Sequence, residues 1–372
     1  MHPTARRLLP ILAIAPTAAA GILLSAPAAD AAKPPRPVVH DAADTSKEQR
    51  AVKEFWTASK MAAAKPLVLV RARGGRTTAA PSVRGTAKTV KPAAPDARAV
   101  RRAAAPAEPG APASPAPPAA SPSASAAPEA APPAPDGDAR VTAGRSSGAP
   151  WAAGGAIVRT EGRIFFTYQG RSASCSGTAV NSANKSVVIT AGHCVKLGGA
   201  FHTNWVFVPG YDAGQRPYGT WVATSLLTTP QWDSAEDMNH DMAAAVIAPL
   251  NGQKLVDVVG GQGVAFNQAR ALRMYAFGYP AASPYNGSKL IYCSGRAFED
   301  YLISTSQGLT CNMTGGSSGG GWFLNFSEST GTGTLNSVNS FKYNFAPYWM
   351  FGPYFGAEAQ AVYTTAQNEG LT

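Results

Sequence analysis

From Trp151 onward the chain consists of short runs of Val, Ile, Phe, Tyr and Thr, broken every few residues by Gly, Asn or Pro. Ile164-Phe165-Phe166-Thr167-Tyr168, Ser186-Val187-Val188-Ile189-Thr190, Trp205-Val206-Phe207-Val208 and Met274-Tyr275-Ala276-Phe277 are examples. β-Branched and aromatic side chains fit the pleated, half-buried surface of a sheet, and short runs with frequent turn residues predict many short strands. The expected fold class is therefore all-β, a barrel or a sandwich. One late segment, from about Gly356 to Gln367, reads as a C-terminal helix. No internal repeat is visible.

The first part of the chain differs. Residues 1–144 hold 19 of the 32 Lys+Arg and 10 of the 22 Asp+Glu, so nine of the ten net positive charges lie there. The basic character belongs to this leader, which argues against a nucleic-acid partner for the rest, because that reading requires charge clustered on the folded part. Arg6 and Arg7 precede an apolar stretch from about Leu8 to Leu24, followed by Ala26-Pro27-Ala28 and Ala29-Asp30-Ala31. That order describes a cleavable secretory signal over residues 1–31. Pro10 and Pro16 interrupt it and it is short for a span, so no stable membrane span is expected and the product is expected outside the cell. Residues 32–102 read as a basic propeptide and 103–144 as an Ala/Pro-rich linker that cannot bury enough apolar surface to offset its ordering entropy. The N-terminal region is thus expected to be largely disordered. An exception is a short amphipathic helix, where Ser46 with Gln49 fits a capping box and Val52, Phe55, Trp56 and Ala63 recur at near-helical spacing.

Two segments carry chemistry: Thr190-Ala191-Gly192-His193-Cys194, and Gly316-Ser317-Ser318-Gly319-Gly320. Serine is a poor nucleophile at its free pKa and needs a general base, which in turn needs an orienting group. Asp241 directly abuts the apolar run Met242-Ala243-Ala244-Ala245-Val246-Ile247, so it is preferred to Asp233 and Asp237 as the group that orients His193. Ser318, with Gly316 two before it and two glycines after it, is preferred to Ser317 as nucleophile. The backbone N–H groups of Gly316 and Ser318 are the expected oxyanion donors. The same segment satisfies the G-x-S-x-G elbow of α/β-hydrolases, but that fold places its histidine after the serine, and no histidine follows His240. His202 and His240 lack the context of His193 and read as ordinary polar residues.

The order His193, Asp241, Ser318, the Ala-Gly context before the histidine and the Gly-x-Ser-Gly-Gly segment resemble the trypsin/chymotrypsin-like serine peptidases. Phe277-Gly278-Tyr279-Pro280 and Thr314-Gly315-Gly316-Ser317-Ser318-Gly319-Gly320 are closer in style to the bacterial glutamyl endopeptidase branch, including secreted actinobacterial enzymes. The resemblance covers roughly residues 150–365. It implies two six-stranded antiparallel barrels within residues 145–372, chymotrypsin-like, with the site between them and a C-terminal helix. It further implies a serine endopeptidase acting through an acyl-enzyme on protein or peptide substrates, as a monomer, with no cofactor and no metal. Four cysteines in an exported chain favour disulfides, and spacing alone leaves three pairings open. The resemblance selects Cys175 with Cys194 and Cys293 with Cys311.

Asn312, Asn339 and Ser340 are the residues that the resemblance puts along the substrate pocket. Asn312 stands where trypsin has a carboxylate, and Val338-Asn339-Ser340-Phe341 contains no histidine such as glutamate-selecting relatives use. Neither a basic nor an acidic side-chain preference is therefore supported, and a small, neutral or apolar preference is expected. Ser317 replaces an aspartate that pairs with a newly cut N-terminus in digestive enzymes, and Gly321 replaces a proline. Activation by that ion pair has no partner here, which favours a propeptide that shields the site or assists folding. Arg101-Arg102, Arg140 and Arg145 are the candidate processing points. The reading from another class is a catalytically silent peptidase-fold binding protein at the cell surface.

Overall fold

The computed structural model describes residues 34–71, 82, 84–103 and 145–371. The expected signal, residues 1–31, and residues 104–144 of the expected linker lie outside them. The N-terminal region supplies β1 (Val38–Asp41), α1 (Ser46–Phe55), α2 (Ala58–Ala63), β2 (Lys65–Pro66), β3 (Leu69–Arg71), β4 (Lys88–Val90) and α3 (Ala97–Ala103). Helix α1 begins one residue earlier than expected, its capping box formed by Thr45 and Glu48 rather than by Ser46 and Gln49. The Gln49 amide donates instead to the Ala43 carbonyl at 3.2 Å.

After β5 (Arg145–Pro150) and α4 (Ile157–Thr160), the next strands are β6 (Glu161–Tyr168), β7 (Arg171–Val180), β8 (Val187–Thr190) and the small hairpin β9 (Lys196–Leu197) and β10 (Ala200–Phe201). They continue with β11 (Thr203–Pro209), β12 (Trp221–Thr228), α5 (Pro230–Ala235) and β13 (Ala243–Ile247). Strands β6, β7, β8, β13, β12 and β11 pair antiparallel in that order, and β11 returns to β6, closing a six-stranded barrel. Ile164, Phe165 and Phe166 of β6 are all fully buried. Successive side chains leave a strand on opposite faces, so both faces of β6 must be covered. Trp56 supplies part of that cover, its ring 5.6 Å from Phe165 and its Nε1 donating to the Asn204 carbonyl at 2.6 Å.

The remaining elements are α6 (Leu255–Val259), β14 (Gly263–Phe266), β15 (Arg273–Gly278), β16 (Ile291–Arg296), β17 (Phe298–Glu299), β18 (Gln307–Thr310), β19 (Gly321–Ser327), β20 (Thr332–Val338), β21 (Phe341–Tyr343), β22 (Ala346–Gly352) and α7 (Ala357–Asn368). They form the second barrel from two sheets, β4-β14-β20-β19-β15-β16-β5 and β17-β18-β22-β21-β3, with β16 packed against β18. The all-β, double-barrel expectation and the C-terminal helix are met. On α7, Ala359, Val362, Tyr363 and Ala366 are buried at helical spacing, and the helix packs on β8, β12, β13 and β14. Cys175 is bonded to Cys194 and Cys293 to Cys311, closing loops of 19 and 18 residues.

Segments of the N-terminal region extend both barrels. β1 adds to β12 and β4 to β14, both antiparallel, whereas β2 runs parallel to β7 and β3 parallel to β21. The chain between β2 and β3 therefore passes from the first barrel to the second.

Candidate active site

His193 sits in a 3₁₀ turn, Gly192–Cys194, that follows β8. The turn packs so tightly on α5 that a Cβ on Gly192 would lie 2.6 Å from the Trp232 ring. Its far end is tied by Cys194 to β7. The His193 carbonyl accepts a hydrogen bond from His202 Nε2 at 2.9 Å. Burial lowers the pKa of His202 to about 4, so at neutral pH its imidazole is uncharged. The ring is stacked on Phe166 at 4.3 Å.

Asp241 caps the end of the 3₁₀ turn Met238–His240, two residues before β13, and is fully buried. Its Oδ1 accepts the His193 backbone N–H at 2.8 Å, its Oδ2 lies 2.8 Å from His193 Nδ1, and the Ser340 hydroxyl also donates to Oδ2. A carboxylate facing Nδ1 holds the proton on that nitrogen and leaves Nε2 as the basic one. Nε2 is buried and has no hydrogen-bond partner among the described residues. The competing acids are engaged elsewhere: Asp237 meets His240 Nδ1 at 2.9 Å and Asp233 pairs with Lys196. His240 lies between Asp237 and Glu358, 3.9 Å from the latter, and not at the site.

Ser318 lies in the turn between β18 and β19. Gly316 has φ +92° and Gly319 φ +79°, the left-handed region that side chains rarely adopt. A Cβ on Gly319 would also come within 2.0 Å of Thr190 Oγ1, and one on Gly320 within 2.1 Å of the Phe277 carbonyl. These glycines are required by close approach as well as by backbone angle. Ser176, one residue after Cys175, fastens the turn to the first barrel. Its hydroxyl donates to the Gly316 carbonyl at 2.8 Å and accepts from Tyr279 N–H at 2.8 Å, while its N–H donates to the Ser318 carbonyl at 2.7 Å. The Ser317 hydroxyl turns away to the Thr314 carbonyl.

Behind the turn is a carboxyl that the sequence did not single out. Glu161 is fully buried; its Oε1 accepts from Thr178 Oγ1 at 2.5 Å and from Gly321 N–H at 3.2 Å. Burial outweighs both bonds and pushes its pKa up to about 8.

The residues expected along the pocket have defined partners. Asn312 Oδ1 accepts from Gly148 N–H and Tyr285 Oη, both at 2.7 Å, joining the turn to β5. Asn339 Nδ2 donates to the Phe277 and Ser317 carbonyls at 2.7 and 3.0 Å, and its Oδ1 accepts from Trp322 Nε1. Ser340 lies on Asp241. Cys175, Cys194 and His193 are close enough to suggest a metal cluster, but both sulfurs are consumed in the disulfide and His193 Nδ1 faces Asp241.

One more residue reaches the site, and nothing in the sequence marked it. The Leu67 carbonyl oxygen accepts from Gly316 N–H at 2.9 Å and from Ser318 Oγ at 3.3 Å. The two groups expected to stabilise and to attack an acyl group thus converge on one peptide oxygen.

Two solved structures resemble the chain closely. The crystal structure of protease Anisep from Arthrobacter nicotinovorans is 51% identical, covering 57% of this chain and 98% of its own, with a TM-score of 0.55. The structure of a thermostable serine protease from an extremophilic microorganism is 44% identical, covering 58% of this chain and all of its own, with a TM-score of 0.55. No family model and no curated protein matches the chain.

Proposed function

The chain belongs to the trypsin/chymotrypsin-like serine proteases, and we propose that it is a secreted serine endopeptidase made as a precursor. In this reading residues 1–31 are a signal, 32–102 a propeptide, 103–144 a linker and 145–372 the peptidase domain, active outside the cell as a monomer without a cofactor. The observation that carries the activity is the shared peptide oxygen: Gly316 N–H and Ser318 Oγ both address the Leu67 carbonyl, and the proposed base His193 is already held by Asp241.

Ser318 Oγ attacks the substrate carbonyl as His193 Nε2 takes its proton, and the oxygen that becomes negative is stabilised by the N–H groups of Gly316 and Ser318. Loss of one such donor typically costs on the order of 10²–10³ in rate. His193 then gives the proton to the leaving amine, and water, activated by the same nitrogen, releases the acyl group from Ser318. Asp241 keeps the imidazole in one tautomer and stabilises its cation. Ser340, on the outer side of Asp241, serves as a positioning residue in this scheme.

A fluorophosphonate probe on the purified peptidase domain, with Ser318→Ala as control, tests the proposal. Labelling at Ser318 with cleavage of a peptide library is the expected result. A domain that neither labels nor cleaves would instead be a silent binding protein, and ester turnover without peptide cleavage would make it an esterase.

A further inference from the structure

Residues 65–71 cross the site. Lys65 and Pro66 pair with Ala173 and Ser174 of β7, and Leu67 N–H donates to the Ser174 carbonyl at 3.0 Å. Beyond the site, Leu69, Val70 and Arg71 pair with Phe341, Lys342 and Tyr343 of β21. Between these two anchors Val68 lies against the backbone of Gly315, where an added Cβ would be 3.0 Å from Val68 Cβ. The Leu67 carbonyl is left at Gly316 N–H and Ser318 Oγ.

This arrangement occupies the site without reacting. The Ser318 hydroxyl donates to the acyl oxygen, so its proton points there, whereas attack needs an oxygen lone pair on the carbonyl carbon and the proton on His193 Nε2. That nitrogen is buried and unpartnered among the described residues. The segment is also held far from the site: β1 pairs with β12, and Trp56, only 2% exposed, is seated beside Phe165. A buried tryptophan is the kind of anchor that carries a large share of interface energy.

Building on the peptidase reading, we propose that residues 38–71 are a tightly seated inhibitor of this chain's own active site, with Leu67 as the plug and Trp56 as the anchor. It follows that one cut between residues 104 and 144 does not activate the enzyme. Strand pairing on both sides of the plug keeps the severed segment in place, and activity appears only when the segment dissociates or is destroyed.

The test uses the full chain with a recognition site for an unrelated, site-specific protease inserted between residues 120 and 121. Fluorophosphonate labelling of Ser318 is timed before the cut, after it, and after separation of the two fragments. The intact and the cut chains at micromolar concentration are expected to label at least about 10-fold more slowly than the separated domain. With Trp56→Ala, the cut chain should need at least about 10-fold less dilution to reach the separated rate. If that variant does not fold, Leu67→Pro, which removes the N–H donated to Ser174, is expected to release inhibition in the same assay. An intact precursor that labels as fast as the separated domain, or full labelling after the cut alone, overturns the proposal. A separated domain that never labels refutes the peptidase reading instead; co-elution of the cut fragments, lost in Trp56→Ala, then decides whether the segment is seated.

Discussion

The buried carboxyl behind the nucleophile turn makes a prediction that separates burial from bonding. Glu161 has its pKa raised from 4.5 to about 8, first by burial and against the bonds from Thr178 and Gly321. Arg163, two residues on, does not neutralise it: the guanidinium donates to Ser174 Oγ and faces the Phe165 and Tyr211 rings. Folded protein therefore keeps the Glu161 proton where unfolded protein has lost it, and stability falls as pH rises from 4.5 towards 8. At about 1.4 kcal/mol per pH unit, the gap amounts to about 5 kcal/mol. Glu161→Gln removes this dependence because an amide does not titrate, and its oxygen can still accept from Thr178 and Gly321. The cost is an amide N–H₂ placed where Oε2 has no hydrogen-bond partner among the described residues, about 1–3 kcal/mol. Denaturant unfolding of both proteins, in a Ser318→Ala background to prevent self-cleavage, should give curves that cross. The variant should be less stable at pH 4.5 and more stable by about 2–4 kcal/mol at pH 9. Curves that stay parallel from pH 4.5 to 9 would mean that Glu161 is ionised in the fold, and the reasoning from burial would be refuted.

Four further outcomes follow from the same geometry. His202 has its pKa lowered from 6.5 to about 4 by burial, so its contribution is full above pH 6.5 and is lost as pH falls towards 4, about 3 kcal/mol in all; His202→Phe should flatten that window in thermal unfolding and lower kcat by loosening the His193 carbonyl. Ser340→Ala removes a bond to a charged acceptor, of order 1.5–3 kcal/mol, and should lower kcat about 10-fold or more with KM nearly unchanged and partial rescue by Thr; an unaltered kcat would make Ser340 a bystander. Gly319→Ala should abolish folding, read by circular dichroism, because its Cβ meets Thr190 Oγ1 at 2.0 Å. Gly170→Ala, at a similar positive φ of 74° but with nothing within 4 Å, should cost only about 1–2 kcal/mol.

What the sequence revealed and what it hid divide along a physical line. His193, Asp241 and Ser318 could be picked out because each is flanked by residues under steric demand. Gly192 must clear the Trp232 ring, Gly319 must clear Thr190, and Asp241 stands two residues before a strand that begins with three alanines and is buried throughout. Side-chain identity records such constraints directly, as do the strand runs whose two faces are both covered. Asn339 and Ser340 were expected along the substrate pocket, and their partners within the fold were not legible. Asn339 and Ser340 form the two-residue connection between β20 and β21, where one reaches the Ser317 carbonyl and the other Asp241. Glu161 gave no signal, because a glutamate at the start of a strand looks solvent-facing until Gly321 closes over it. Leu67 gave least of all. It acts through its carbonyl, which every residue possesses, and it lies between strands of two and three residues that exist only by pairing with β7 and β21. The pairing partners lie more than 100 residues away in sequence, so no local periodicity could announce them. Chemistry that needs a particular side chain was written in the sequence, and the occupant of the cleft, which needs only a backbone in the right place, became visible in the fold.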